Sequence, residues 1–315
     1  MSIIETAHRY WTSEKLKKLT GGKKLLLLPS NGAKLLYALG LMNRDSSISA
    51  DSVKKYLQIN HMLELTRRPL ERLQSRFEKV RILDCGCGNS YLTFLLAWYF
   101  KEILNHPCEI VGIDSNPKVI ERSREKAEQL GFSDIVRFEN KSVATFMEEL
   151  EASRENVEKP LRFHAVYSLH ACDTATDDAL GLALQNSADF IASAPCCQAE
   201  LANQWTELAA KNSEHIFKVV IHAPLLRREA GSVMTDALRI LLVRGSGYEV
   251  TTTEFVPSTH TPKNRLIMAE RRGSYLTEPL DEYKSLTQSL GGISIKLEQL
   301  IPAKIKDLLA RSEVT

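Results

Sequence analysis

From Arg81 the chain reads Arg-Ile-Leu-Asp-Cys-Gly-Cys-Gly-Asn-Ser, and a strongly apolar stretch, Tyr91–Leu104, follows at once. Such a passage fits few folds. A short buried strand must stop, turn on glycines that tolerate close backbone approach, and enter a helix whose first N–H groups are free to meet a ligand. The same rhythm continues downstream. Glu109–Asp114 reads as the next strand, and Asn116 with Pro117 opens a helix that Gly131 closes. Ile135–Glu139, Ala165–Leu169 and Phe190–Ala194 are further short apolar runs with helical spacing between them. Strands alternating with helices predict a mostly parallel sheet covered on both faces. The last two strands, Tyr248–Phe255 and Arg265–Glu270, are joined by nine residues, too few for a helical crossover. One strand must therefore run antiparallel.

Outside this core the sequence is expected to be helical. Ile3–Leu19 ends at Gly21-Gly22, Asp51–Gln74 is interrupted or kinked by Pro69, and Ser232–Arg244 stops at Gly245 and Gly247. Residues 215–226 fit strand or helix equally. The expected organisation is a basic helical region over 1–78, the sheet domain over 79–272 and a helical extension over 273–315. At 315 residues with 43% hydrophobic and 25% charged content, the chain has room for one α/β domain of about 200 residues plus additions. No leader-like or bilayer-spanning apolar run is visible, so a cytoplasmic protein with no membrane contact is expected. The six cysteines then stay free thiols.

The glycine loop leaves a choice between two nucleotide cofactors, and three residues decide it. Tyr91 occupies the position of the third glycine in a dinucleotide fingerprint. Asp84 precedes the first glycine, and a carboxylate there suits a ligand carrying ammonium and sulfonium groups better than a pyrophosphate. Asp114 ends the second strand, where it can accept both hydroxyls of a ribose. Asp84, Gly86, Gly88, Asp114 and the adjacent Ser115 are thus the candidate contacts of S-adenosylmethionine.

Ligands of such sheets sit beyond the carboxyl ends of the strands. Three segments meet that rim: Leu169-His-Ala-Cys-Asp-Thr-Ala-Thr-Asp-Asp178, Ala194-Pro-Cys-Cys-Gln198 and Thr259-His-Thr-Pro-Lys-Asn264. Together with the cofactor loop and the upstream Lys54-Lys-Tyr-Leu-Gln-Ile-Asn-His-Met-Leu63, they resemble the methyltransferase-domain family that includes the eukaryotic tRNA acceptor-stem 2′-O-methyltransferases. Its relatives include a glutathione-transferase-like fusion protein. The resemblance covers roughly residues 50–272. It implies a Rossmann-like class I methyltransferase fold, seven strands with one antiparallel, and S-adenosylmethionine contacts at Asp84, Gly86, Gly88 and Asp114. After the third strand such enzymes usually offer an acidic residue to the adenine amino group; here Ser142 takes that place.

Each rim residue carries two readings. His170 is a general base for a hydroxyl nucleophile, since its pKa lies near working pH, or a histidine packed on the cofactor. Asp173 orients the acceptor. Asp177 reads as a first-turn helix carboxylate behind a Thr174 cap. Lys263 binds a phosphate or eases deprotonation of a hydroxyl, or sits exposed in a turn. Cys196 stands where a cytosine-5 methyltransferase would carry its thiolate, yet residues 190–200 hold no Lys, Arg or His to activate it. His170, Cys172, Cys196 and Cys197 fall on neighbouring strands. Adjacent cysteines are awkward ligands for one tetrahedral ion, so no metal site is expected. The segment His170-Ala-Cys-Asp173 is not the Asn/Asp-Pro-Pro-aromatic turn of amine-directed enzymes.

Charge points to the partner. Residues 1–80 hold 15 Lys/Arg against 7 Asp/Glu, a surplus of eight, while the remainder is acidic enough to bring the total to +2. A block this basic predicts a polyanion, and RNA (tRNA or rRNA) methylated at a 2′-hydroxyl is the expected substrate. The alternatives are a protein or small-molecule methyltransferase, and an RNA-binding protein that retains the cofactor fold without catalysis. The sequence leaves oligomeric state open.

Overall fold

A computed structural model describes residues 1–154, 161–169, 171, 173–196, 198–211, 214–255 and 264–311. Among them seven strands form a mixed sheet with helices around it, and the chain divides into two compact units, 1–141 and 142–315.

The first unit opens with four helices: α1 (Ile3–Tyr10), α2 (Ser13–Thr20), α3 (Ala33–Ala38) and α4 (Ala50–Arg76). The single helix expected over Ile3–Leu19 is in fact two. Trp11 leaves helical geometry, its indole N–H donates to the Ser46 carbonyl at 2.8 Å, and Thr12 restarts the chain by accepting from the Lys15 N–H. Helix α4 also departs from expectation, because its 27 residues run through Pro69 without a break. Proline removes one N–H bond there, and burial of Pro69 together with Leu63, Leu70 and Leu73 holds the helix instead.

Three parallel strands follow, β1 (Val80–Cys85), β2 (Cys108–Asp114) and β3 (Val136–Asn140), adjacent in the order β3-β2-β1. Leu83 pairs with Val111 and Asp84 with Gly112. Helix α5 (Tyr91–Trp98) continues into a π-helical turn at Tyr99–Ile103, and α6 (Pro117–Leu130) connects β2 to β3. The two ends of α6 follow the sequence signals: Asn116 accepts from the Lys118 N–H, and Gly131 takes a left-handed φ of 71°.

The second unit contains α7 (Val143–Arg154), β4 (Ala165–Ser168), α8 (Ala175–Gln185), β5 (Phe190–Ser193), α9 (Glu200–Ala210), α10 (Lys218–His222) and α11 (Pro224–Gly245). Strands β6 (Tyr248–Glu254) and β7 (Arg265–Arg271) then give the order β4-β5-β7-β6. β4 and β5 are parallel, and β7 runs antiparallel to both β5 and β6. The chain closes with α12 (Glu278–Ser289), α13 (Lys296–Leu300) and α14 (Ala303–Arg311). Residues 218–222 and 224–245 settle as helix what the sequence left open. Among the described residues no helix is long and apolar enough to cross a membrane.

Candidate active site

In the first unit the turn after β1 is built from left-handed residues. Gly86 has φ 67°, Gly88 φ 51° and Ser90 φ 58°. A Cβ at either glycine would be strained, which accounts for the residue choice there. Ser90 is fully buried and shares a 2.8 Å hydroxyl–hydroxyl bond with Ser123 of α6, pinning the loop to its neighbour helix. The Cys87 N–H donates to the Ile113 carbonyl at 2.9 Å, so the loop is also tied to the end of β2.

Two carboxylates lie at this turn. Asp114 is half-buried at the end of β2, and its Oδ2 accepts from the Gly88 N–H at 2.9 Å while its Oδ1 accepts from the Asn116 N–H at 2.8 Å. The pair of bonds fixes Asp114 against the glycine turn. Asp84 lies deeper, 3% exposed, with the Thr93 hydroxyl donating to it at 2.6 Å. Burial pushes the Asp84 carboxyl up to about 7; the Thr93 bond opposes that shift and the charge of Asp114 adds to it. A cationic ligand would draw this group back towards its ionised form. The Cys87 thiol is likewise pushed up, first by burial and then by Asp84. Gly112 completes the cradle from below, because a Cβ there would lie 2.7 Å from the Phe138 ring and 3.2 Å from Cys87 Sγ. Glycines open to approach, a ribose-height carboxylate and a second, buried carboxylate fit the demands of S-adenosylmethionine. Ser115 is exposed in the bend beyond Asp114.

In the second unit Ser142 starts α7, and its hydroxyl accepts from the Thr145 N–H at 3.1 Å, so it serves as a helix cap. His170 and Lys263, with Cys172 and Cys197, lie outside the described residues. Cys196 is half-buried and not in a disulfide. Among the described residues no group of His, Cys, Asp or Glu could hold a metal ion.

Asp177 is a first-turn carboxylate of α8 behind Thr174, as the sequence suggests, but Thr174 makes no side-chain cap bond. Asp177 is instead fully buried, and both its oxygens accept from Arg239 of α11. Arg239 is itself 1% exposed and bonds to Asp236 at 3.2 Å and to the Asp173 carbonyl at 3.1 Å. Burial pulls the guanidinium down, but Asp177 and Asp236 outweigh it and hold Arg239 charged above its ordinary value. Burial raises the Asp236 carboxyl, against the opposing pull of Arg265 and Arg239. Asp173 has a left-handed φ of 52°, and its carboxylate accepts from the Ala199 N–H at 2.9 Å. Nearby, burial and the charge of Asp177 lift Glu200 to about 7; its Oε1 accepts from the Lys296 N–H and its Oε2 is buried without a partner. Arg239, Asp236, Gln198 and Arg265 were not singled out by the sequence. The usable signal was Asp236 with Arg239 at i, i+3 inside the otherwise apolar run Asp236–Val243.

Residues 54–204 match the family model of a methyltransferase domain. A glutathione S-transferase C-terminal domain-containing protein homolog of Drosophila melanogaster is 24% identical over 234 residues, 65% of this chain and 36% of that protein. A protein-lysine N-methyltransferase of Schizosaccharomyces pombe is 37% identical over 59 residues, 19% of this chain and 25% of that protein. The solved SAH-bound methyltransferase of Podospora anserina is similar over 85% of this chain and 96% of its own, at 14% identity and a TM-score of 0.44. The chain spans about a third of the length of the first of these relatives. Over residues 54–204 the likeness is to a methyltransferase domain, and the glycines and two carboxylates of the turn suit S-adenosylmethionine.

Proposed function

We propose that the chain methylates RNA, with a 2′-hydroxyl as acceptor. One observation carries the reading. The basic helix α4 stands beside the cofactor turn: the Lys55 ammonium lies 3.8 Å from the ring centroid of Tyr91, the first residue of α5. Lys54, Arg68, Arg72 and Arg76 on the same helix are exposed, as are Lys15, Lys17, Lys18, Lys23 and Lys24 on α2 and the turn after it. A phosphate backbone drawn to α4 is thereby brought to the unit that holds the methyl donor.

Bound at the glycine turn, S-adenosylmethionine supplies a methyl group on a sulfonium, the electrophile of an in-line displacement. Asp114 would hold its ribose hydroxyls, and Asp84 would balance its positive charge. On the acceptor side, His170 takes the hydroxyl proton as the oxygen–methyl bond forms and the sulfur–methyl bond breaks. Lys263 steadies the adjacent phosphate, and Asp173 orients the acceptor. Most of the rate then comes from alignment and exclusion of water. Cys196 contributes packing; no covalent adduct with the base is involved.

A protein acceptor is the second reading, favoured by the likeness over 59 residues to a protein that bears the name of a lysine methyltransferase. Labelled cofactor offered to hypomethylated total RNA and to protein lysate separates the two. Label in alkali-resistant dinucleotides supports a 2′-hydroxyl, and label only in protein overturns the RNA reading. A stable complex with 5-fluorocytosine-substituted RNA that depends on Cys196 would instead make this a base methyltransferase.

A further inference from the structure

The second unit buries an unusual amount of charge. Arg239 donates to both oxygens of Asp177, to Asp236 and to the Asp173 carbonyl. Asp236 in turn accepts from Arg265 at 3.1 Å and from the Gln198 amide at 3.0 and 3.2 Å. Gln198 accepts from the Ser232 hydroxyl at 2.9 Å, and Ser232 accepts from Arg265 at 3.0 Å. Replacing such a cluster by apolar residues is often neutral or stabilising, so stability alone is a poor reason for its presence.

What the cluster connects is informative. Asp173 lies beyond β4, Gln198 lies beyond β5, and Arg265 begins the antiparallel β7. These three positions fall on one edge of the sheet, the carboxyl-end edge where open α/β sheets bind ligands. Asp173 is held there with a left-handed backbone, which a non-glycine residue sustains only when its surroundings fix it. Arg239 bonds to its carbonyl, and the Ala199 N–H to its carboxylate. Asp236 and Arg265 also line an open cavity of about 470 Å³ between α11 and β6–β7, walled by Val233, Ala237, Ile240 and Ile267.

We propose that Arg239 is a positioning residue for methyl transfer: directly and through Asp236 it holds Asp173 after β4, Gln198 after β5 and Arg265 at the start of β7 in one geometry, and so sets the acceptor side of the reaction. The proposal rests on the methyltransferase reading but not on RNA as the acceptor. Arg239 is 1% exposed and so acts through Asp173 and Asp236.

The test compares Arg239→Lys and Arg239→Met with wild type. Lysine retains a charge for Asp177 but cannot reach Asp177, Asp236 and the Asp173 carbonyl together, because it lacks the guanidinium fork. Both variants should bind S-adenosylmethionine within about twofold of wild type, since its candidate contacts Asp84, Gly86, Gly88 and Asp114 lie in 1–141. With whichever acceptor the labelling assay identifies, kcat should fall about 100-fold in Arg239→Met and less in Arg239→Lys, with KM for cofactor unchanged. Amide exchange gives a readout that needs no acceptor. The Ala199 N–H should lose protection in both variants, and in Asp236→Asn should the Arg239 variants fail to fold. Loss of kcat in step with cofactor affinity, or unchanged kcat in a folded Arg239→Met, overturns the proposal. Unchanged protection at Ala199 overturns it even if no acceptor is found, so its failure is distinct from failure of the RNA reading.

Discussion

Asp114 is committed on both oxygens to backbone N–H groups, yet it remains half-buried and open at its outer side. A carboxylate can accept further bonds, so ribose hydroxyls add to this arrangement without displacing it. Asp114→Ala should weaken S-adenosylmethionine by about 1.5–3 kcal/mol, roughly 10- to 150-fold, which is the cost of charge-assisted bonds. Calorimetry that finds unchanged affinity removes Asp114 from the ribose site. Asp84 leads to a prediction about pH. Its carboxyl sits near 7 in the folded chain against 3.8 in the reference state, so between about pH 4 and 7 the folded form holds an extra proton. Stability contributed by Asp84 therefore falls as pH rises through that window and is flat above it. The difference in unfolding free energy between wild type and Asp84→Asn should decline from pH 4 to 7, and a difference that rises instead would contradict the burial of this group. These residues were legible in the sequence because one short turn and one strand end carry them. The Asp177–Arg239 pair was not, because its members are separated by 62 positions and only the packing of α11 brings them together.

At the scale of elements, strand positions were read to within a residue or so, since short apolar runs between turn residues admit little else. Helices were less legible where the deciding force was tertiary. Trp11 breaks the first helix to reach Ser46, and burial carries α4 through Pro69; neither event has a local sequence cause. Gly112 in β2 belongs to the same class, because strand periodicity gives no hint that its missing side chain matters. The Phe138 ring and Cys87 Sγ occupy the space a methyl group would need. Gly112→Ala should therefore destabilise the chain by about 1–3 kcal/mol, the range for an overpacked core. The strain falls on Cys87 at the centre of the cofactor turn, so cofactor affinity should drop along with the urea midpoint. A stability loss with affinity intact would show that the other ties of the turn, Ser90 to Ser123 and Gly88 to Asp114, hold its geometry against the displaced Cys87.

For the whole molecule the informative quantity is the uneven distribution of charge. A net charge of +2 predicts little, but the surplus of eight positive charges in residues 1–80 sits in the unit that contains the cofactor turn. The bland account is a solvated helical surface, which would bind anions weakly and without regard to position. The two accounts differ in salt response and in mutational locality. If α4 tracks a phosphate backbone, log K for RNA falls linearly with log salt, and each neutralised phosphate adds about 0.7–0.9 to the slope. Lys54 and Lys55 are both exposed, and Lys55 lies against Tyr91 at the cofactor turn. Replacing both by Ala should lower the slope by about 1.5 and leave cofactor affinity within about twofold, because neither side chain is a candidate cofactor contact. Replacing Lys23 and Lys24, exposed in the turn after α2, tests locality: equal effects from the two pairs indicate a diffuse basic surface, and a larger effect from Lys54 and Lys55 places the backbone along α4. RNA affinity that does not change with salt, or a slope unaltered by either pair, removes RNA from the basic block and shifts the acceptor to protein or small molecule.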